Sequence, residues 1–268
     1  MRLMLRAGSS GRPRRRPRTD VDHTAAPRTD GVETPATWLL HGGRPTSRFL
    51  IRRRYRIRLH GAEHLPKDGP AIVAANHVGI VDGPLMAIFS PRPVHALTKV
   101  EMFEGRTGLV LRLSGQIPLD RFATDPRAVK TTLRLLREGH VVGIFPEGGR
   151  GAGELELFHR GAAYLALVTG APIVPLMMIG TREPGGSLSS LPGRKAEIDM
   201  VYGEPFTVDP MPWPRTQDAV ADVSTRLRER MLADLEEAKR LTGRSLPGPL
   251  PAGQQEPDPG GGVTEKSA

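Results

Sequence analysis

The stretch "AIVAANHVGIVDGP", residues 71–84, joins a short apolar run to a polar turn. The uninterrupted apolar residues 71–75 predict a buried strand. Asp82 and Pro84 suit the first turn of a helix, so a helix is expected to begin near Asp82. Asn76 and His77 therefore lie where the strand ends, and polar side chains at that position need an explanation.

Further strand-like runs alternate with helical patterns along the chain. The clearest helix spans residues 125–140, where Asp125 can cap the first turn and Gly139 suits the end. This alternation predicts an α/β fold with a largely central sheet flanked by helices. The other strand-like runs are residues 94–98, 115–119, 141–145 and 173–179, and the other helical patterns are residues 159–170 and 215–241.

Composition divides the chain of 268 residues into three parts. Residues 1–36 and 246–268 are rich in Arg, Pro and Gly, bury little apolar surface, and are predicted to be disordered. Residues 37–245 then form a single domain. The chain has no cysteine, which excludes disulfides and thiolate chemistry. Neither a secretory signal nor a spanning apolar run is evident, so a cytosolic or membrane-surface protein is expected.

The formal net charge is +9, and residues outside the first 36 remain basic. A basic field favours an anionic partner: nucleic acid, a lipid surface or a phosphate-bearing substrate. A nucleic-acid-binding protein is the least favoured of these, because aromatic residues make up only 4% of the chain and no known binding module is present. No nucleic acid is therefore expected.

His77 and Asp82 have two interpretations. A loop-to-helix turn could bring them together, with Asp82 orienting the imidazole and His77 acting as a general base. Alternatively, Asp82 only caps the helix and His77 is an ordinary loop residue. A metal site is not predicted, since no further ligands have suitable spacing. With no cysteine and no G-x-S-x-G motif, a base would act on the substrate's own hydroxyl.

Two arginines follow other strand-like runs. Arg121 follows residues 115–119, and Arg150 follows residues 141–145. Either could be a solvated surface charge. Together with His77, however, they indicate one edge of the sheet, where α/β proteins bind ligands. Guanidinium groups there suit a phosphate.

Four ordered blocks give the chain a family resemblance. They are N-H-x-x-x-x-D (76–82), G-x-I-x-x-x-R (115–121), F-P-E-G-x-R (145–150) and "APIVPLMMIG" (171–180). These blocks resemble those of the glycerolipid acyltransferases, and within that family most closely the 1-acyl-glycerol-3-phosphate acyltransferases. The likeness covers about residues 55–207 and implies a mixed sheet.

The resemblance implies roles for individual residues. His77 and Asp82 would be catalytic. The residues implied in acceptor binding or site support are Asn76, Gly115, Arg121, Glu147, Gly148, Arg150, Val174 and Pro175. Gly79 and Gly151 stand where many family members have Ser. Oxyanion donors are not identified by sequence, with N–H groups near His77 one candidate.

The resemblance also implies substrates and a location. The acceptor would be a lysophospholipid, 1-acyl-glycerol-3-phosphate, and the donor an acyl-CoA or acyl carrier protein thioester, with no bound cofactor. Another lyso-lipid or glycerol phosphate is the alternative acceptor. An anionic membrane surface is a further expected partner, with the protein peripheral on the cytoplasmic face of the cell membrane.

The Arg-rich residues 44–61 could lie against anionic headgroups, with Trp38 as an interfacial anchor. For residues 53–59 a first strand is favoured, which is compatible with membrane contact if the solvent face of the strand is the lipid-facing one. Its apolar residues, Tyr55 and the two at positions 57 and 59, would point inward, and the intervening arginines outward.

Overall fold

A computed structural model describes residues 27–254, 256, 257 and 260 of the chain. The predicted disorder of residues 1–26, and of most residues after 257, therefore lies outside the described residues. Described parts of both predicted tails contact the domain. Arg137 Nη1 donates to Thr29 Oγ1 at 2.7 Å, and Arg182 Nη2 donates to the carbonyl of Gly248 at 2.7 Å. The domain boundaries at residues 37 and 245 stay predictions.

Within the described residues, the domain has seven α-helices and seven strands. The helices are α1 (Trp38–Gly42), α2 (Arg44–Arg54), α3 (Asp82–Phe89), α4 (Gly105–Leu113), α5 (Pro126–Arg137), α6 (Gly161–Thr169) and α7 (Gln217–Thr242). The strands are β1 (Arg56–His60), β2 (Ala71–Ala75), β3 (Val94–Lys99), β4 (Ile117–Leu119), β5 (Val141–Ile144), β6 (Ile173–Ile179) and β7 (Glu197–Tyr202).

One mixed sheet organises these elements, in the order β1-β7-β6-β2-β5-β3-β4. The strands β6, β2, β5, β3 and β4 are parallel, while β7 is antiparallel to β6 and β1 is parallel to β7. The predicted α/β fold with a mixed central sheet is confirmed. The carboxyl ends of five strands consequently meet at one edge, which is called the carboxyl edge below.

The central strand β2 is buried on both faces because helices cover both. Ile72 and Ala74 pack with apolar residues of α5, α6 and α7. Val73 and Ala75 point the other way, into a cluster that includes apolar residues of α3. A continuous apolar run is the pattern that such a doubly covered parallel strand requires.

Helix α5 has the start signal, end signal and apolar face that its sequence predicts. Asp125 caps it, since its Oδ1 accepts from the N–H of Ala128 at 2.9 Å. Gly139, just past the end, has a left-handed φ of 83°, which a glycine adopts at little cost. Leu133 and Leu136 are completely buried, as the helical spacing predicts.

The predicted strand over residues 53–59 is wrong in its first part. Arg53 and Arg54 close α2, and β1 begins only at Arg56. The predicted alternation does hold from Tyr55 onward, with Tyr55 buried and Arg56 exposed. Helix α2 forms here because it docks on α3: Arg48 Nε donates to the carbonyl of Ile88 at 2.7 Å, satisfying a group at the open end of α3.

Candidate active site

The side chains of His77 and Asp82 meet just beyond the end of β2. His77 Nδ1 lies 2.8 Å from Asp82 Oδ2, and the ring of His77 stacks on Phe145 with centroids 4.0 Å apart. Asp82 is fully buried, whereas the His77 side chain keeps 16% exposure. With Nδ1 facing a carboxylate, Nε2 is the nitrogen that can exchange a proton with a substrate.

Asp82 does more than a helix cap would. Its Oδ2 also accepts from the backbone N–H groups of Val78 and Gly79, at 2.6 and 2.8 Å. It opens α3 without capping it, since Val81 holds the cap position with no side-chain bond. The turn is thus folded around this one carboxylate, which fixes both the loop and the imidazole.

The N–H groups near His77, one candidate for the oxyanion donors, make other hydrogen bonds in this geometry. The N–H groups of Val78 and Gly79 are bonded to Asp82, and that of His77 donates to Glu147 Oε1 at 2.7 Å. Three donors of the turn are therefore already used by the protein itself. An oxyanion would need donors from elsewhere.

Asn76 fixes the start of the turn to the neighbouring strand β6. It is completely buried, its Oδ1 accepts from the N–H of Met178 at 2.7 Å, and its Nδ2 donates to the carbonyl of Met178 at 3.2 Å. The side chain mimics a strand partner where β2 has ended. Its predicted contact with substrate stays a prediction.

Glu147 lies in the loop after β5 and is buried against the His77 turn. Burial raises the pKa of Glu147 to about 8, and nearby Asp82 adds to the rise, although N–H donation from His77 and Leu155 opposes it. The group is therefore mostly protonated at neutral pH. This loop is also tied to the turn by the N–H of Gly151, which donates to the carbonyl of His77 at 2.9 Å.

A cluster of three cations lies at the same carboxyl edge. Lys99 ends β3, Arg121 follows β4 and Arg150 follows β5, and all three bind the carboxylate of Glu256. Arg121 Nη1 lies 3.2 Å from Glu256 Oε2, and Arg150 Nη2 lies 2.9 Å from Oε1. Arg121 also donates to the carbonyl of Gly148, which links the cluster to the loop beside His77. We call Lys99, Arg121 and Arg150 the cation triad.

Arg182, just beyond β6, holds three segments together from a nearly fully buried position. Its Nε donates to the carbonyl of Val78 at 3.1 Å, and its Nη2 donates to those of Gly151 and Gly248 at 3.0 and 2.7 Å. The His77 turn, the loop after β5 and the chain beyond α7 thus share one guanidinium. Losing it would free all three.

Three predicted site residues lie elsewhere. Gly115 precedes β4 and accepts a hydrogen bond from the buried His95, near the beginning of β3. That position is at the amino end of the strands, so Gly115 is not brought together with His77. Pro175 lies inside β6, buried beside Ala74 of β2, and Val174 is in the core.

Sequence reasoning missed Lys99, Arg182 and Glu256. For Lys99 a signal was available, because it ends a strand-like run just as Arg121 and Arg150 follow theirs. Arg182 likewise follows β6 by only a few residues. Glu256 had no local signal, since it belongs to a Pro- and Gly-rich segment that reaches the site only through the fold.

Known proteins are similar to this chain in sequence and in fold. Residues 56–179 match the family model described as "Acyltransferase". The 1-acyl-sn-glycerol-3-phosphate acyltransferase of Bacillus subtilis is 31% identical over 161 residues, which cover 59% of this chain and 78% of that protein. A chloroplastic 1-acyl-sn-glycerol-3-phosphate acyltransferase of Arabidopsis thaliana is 34% identical over 149 residues, covering 50% of this chain but only 39% of that protein.

A solved structure shares the fold. It is the 1-acyl-sn-glycerophosphate acyltransferase of Thermotoga maritima, with a TM-score of 0.57 and 20% sequence identity. The likeness covers 77% of this chain and 81% of that one. At this identity the comparison shows the architecture alone.

Proposed function

Because the chain belongs to the acyltransferase family, we propose that it transfers a fatty acyl group from a thioester to the free hydroxyl of 1-acyl-glycerol-3-phosphate, giving phosphatidate. The relatives that carry this activity in their names support the choice of acceptor. The chain is an acyltransferase of lipid biosynthesis, and the acceptor and donor are the proposed part.

The observation that carries the proposal is the position of the cation triad beside the His77–Asp82 pair. Arg121 bonds to Gly148, and Gly151, next to Arg150, bonds to His77. A phosphate on the triad would thus be held by the same loop that contacts the base. Three cations around one anion match a phosphate better than a neutral headgroup.

The chemistry follows from these positions. His77 Nε2 removes the proton from the acceptor hydroxyl while the oxygen attacks the thioester carbonyl carbon. Asp82 stabilises the imidazolium that forms and keeps the ring oriented. When the tetrahedral intermediate collapses, the carbon–sulfur bond breaks, the ester forms, and the imidazolium returns the proton to the departing thiolate. No protein nucleophile and no bound cofactor are required.

We further propose that the enzyme works on the surface of an anionic membrane. None of the helices in the described residues is long and apolar enough to cross a bilayer. Helices α1 and α2 nevertheless expose large apolar side chains: Trp38 is 62% exposed, and Phe49 and Leu50 are each 60% exposed. Arg53 stacks over Phe49, so a cationic group lies beside the exposed apolar side chains, where it can meet an anionic headgroup.

An acceptor panel tests the function. Purified protein would receive 1-acyl-glycerol-3-phosphate, glycerol 3-phosphate, a lysophosphatidylcholine or monoacylglycerol, each with acyl-CoA and with acyl carrier protein thioesters. We expect 1-acyl-glycerol-3-phosphate to give the highest kcat/KM. Equal turnover of monoacylglycerol would contradict the role of the phosphate, and faster turnover of another acceptor would replace the proposed one. The two thioesters identify the donor.

A further inference from the structure

Glu256 occupies the cation triad in a way that resembles a bound ligand. Its carboxylate binds Lys99 and Arg121 through Oε2, and Arg150 through Oε1. The side chain is only 7% exposed, so this is a buried contact and not a surface ion pair. Because the carboxylate comes from the chain beyond α7, the protein supplies an anion to its own anion site.

The residues leading to Glu256 are held by separate contacts. Arg182 donates to the carbonyl of Gly248, and the N–H of Leu188 donates to Gln254 Oε1 at 2.8 Å. Leu250 is buried, with 7% exposure. Residues 246–254 thus cross the carboxyl edge along a defined path. We call residues 246–254 together with Glu256 the strap.

We propose that the strap is autoinhibitory: Glu256 occupies the acceptor-phosphate subsite and must leave the cation triad before the acceptor binds. The proposal rests on the function proposed above, because it assigns the triad to the acceptor's phosphate. It makes the C-terminal segment an intramolecular competitor of the substrate. The ligand that displaces it is a phosphate group, either on a lipid or free in solution.

The charge of the cation triad favours replacement of Glu256 by a phosphate. One carboxylate neutralises one of the three cations, which leaves room for a more highly charged anion. A phosphate also offers one more acceptor oxygen than a carboxylate. Arg121 Nε, which is buried and finds no hydrogen-bond acceptor in the described part of the chain, could donate to it. The phosphate can therefore make more charge-assisted bonds than Glu256 does.

Competition of this kind requires the Glu256 side chain to be ionised. Burial raises the pKa of Glu256. The hydrogen bond and charge of Lys99, together with the charge of Arg150, outweigh burial and bring the pKa below its ordinary value. The group is therefore an anion at neutral pH and competes through its charge.

Steady-state kinetics with Glu256→Gln tests the strap, with Glu63→Gln as the control. Glu63 lies between β1 and β2, is exposed, and has no bond to the triad among the described contacts. We expect Glu256→Gln to lower KM for 1-acyl-glycerol-3-phosphate at least about threefold at similar kcat, because affinity is reduced by the fraction of sites that are closed. KM for the thioester and both constants of Glu63→Gln should not change.

A second variant guards against a folding defect in the first. Gln254→Ala removes the bond to Leu188 and loosens the strap without touching the triad, so it should lower KM in the same direction. An unchanged or raised KM in Glu256→Gln, with Gln254→Ala also unchanged, would overturn the strap. A raised KM would mean that Glu256 organises the cations for the substrate.

Hydrogen exchange separates this proposal from the proposed function. Inorganic phosphate or glycerol 3-phosphate, added to the wild-type protein, should speed amide exchange in residues 246–254, whereas sodium chloride of equal ionic strength should not. Unchanged exchange would contradict displacement of the strap. If wild-type protein acylates monoacylglycerol as well as its phosphate, the proposed acceptor is wrong. The exchange result then still decides whether an anion displaces Glu256. Vesicles containing 1-acyl-glycerol-3-phosphate, compared with free phosphate, distinguish the lipid source.

Discussion

His77 Nδ1 and Asp82 Oδ2 lie 2.8 Å apart, and the same oxygen of Asp82 accepts two backbone N–H groups of the turn between them. The imidazole and the loop that carries it are thus oriented by one buried carboxylate. This arrangement leaves His77 Nε2 for the substrate. It predicts that substitution of either residue greatly lowers activity.

We expect His77→Ala to lower kcat at least about a hundredfold, since loss of a general base typically costs that much. Asp82→Asn should also be severely impaired, because it removes the charge that stabilises the imidazolium. Thioester-dependent acylation measures both. The chain offers a matched control in His60, whose Nε2 lies 2.9 Å from Asp199 Oδ1 at the end of β1. His60→Ala should keep its activity, and near-normal turnover by His77→Ala would rule out the mechanism.

The cation triad predicts a selective loss of acceptor binding. Replacing Lys99, Arg121 or Arg150 with Gln should raise KM for 1-acyl-glycerol-3-phosphate about tenfold or more, since charged hydrogen bonds contribute roughly 1.5–3 kcal/mol. KM for the thioester should change much less. Arg226→Gln is the control, because Arg226 is an exposed residue of α7 paired with Asp222. Equal effects on acceptor and donor would place the phosphate elsewhere.

The parts of the fold that sequence predicts well are those where local pattern and tertiary contacts agree. The apolar runs of β2 and β6 are fully buried in the structure, and the cap signals of α5 are used as expected. Helix α2 was missed because its run of arginines and apolar residues fits a strand equally well. What selects the helix is its docking on the carbonyls of α3, about forty residues away in the chain.

Some residues of the candidate site could be predicted from local sequence, and others could not. Strand ends predicted His77, Arg121 and Arg150, because the carboxyl ends of parallel strands share an edge. No local pattern could predict Glu256, which reaches Lys99 across more than half of the chain. Strand β7 was also missed: it is antiparallel to the preceding strand β6 and parallel to β1, which is distant in sequence.

The raised pKa of Glu147 makes the stability of the protein depend on pH. Its folded-state pKa of about 8 lies above the ordinary value of 4.5, so the folded protein holds a proton that the unfolded chain releases. The resulting stabilisation is fully present below about pH 4.5 and is lost as pH rises toward 8. In Glu147→Gln this proton is absent. We therefore expect the unfolding free energy of the wild type to fall relative to the variant by up to about 1.4 kcal/mol per pH unit within that window.

Urea unfolding at several pH values between 5 and 9 measures that difference. The exposed Glu63 provides the control, since the Glu63→Gln curve should run parallel to the wild type. If Glu147→Gln also runs parallel, Glu147 is charged in the folded protein at neutral pH and the raised pKa is wrong.

The exposed face of α2 predicts membrane binding. Replacing Phe49 and Leu50 together with Ser should weaken sedimentation with anionic vesicles roughly tenfold or more, because burying one such side chain contributes about 1.5–3 kcal/mol. Leu241→Ser is the control, since Leu241 is equally prominent on α7, with 54% exposure. Binding should also weaken with salt. If deletion of residues 1–36 abolishes binding while the α2 variant retains it, the anchor lies in the N-terminal tail.

Gly79 and Gly151 predict opposite responses to the same substitution. Neither glycine has a left-handed φ, so a serine at either position tests space alone. A Cβ at Gly79 would lie 2.3 Å from the carbonyl oxygen of Thr181, whereas at Gly151 the nearest neighbour is Glu147 Oε2 at 4.0 Å. Gly79→Ser must therefore push the His77 turn away from the chain beyond β6. Overpacking of this kind typically costs about 1–3 kcal/mol in the free energy of unfolding.

Activity should fall with stability in Gly79→Ser, because the N–H of Gly79 is one of the donors that hold Asp82. Gly151→Ser should keep the unfolding free energy within about 0.5 kcal/mol of the wild type, because the added Cβ meets no close neighbour. Its kcat should stay close to the wild-type value. Urea unfolding and steady-state kinetics of the two variants decide the matter. If both serines are tolerated equally, the turn can move away from Thr181 more easily than the close contact implies. Asp82 would then be positioned by its bonds to His77 and Val78, without close packing at Gly79.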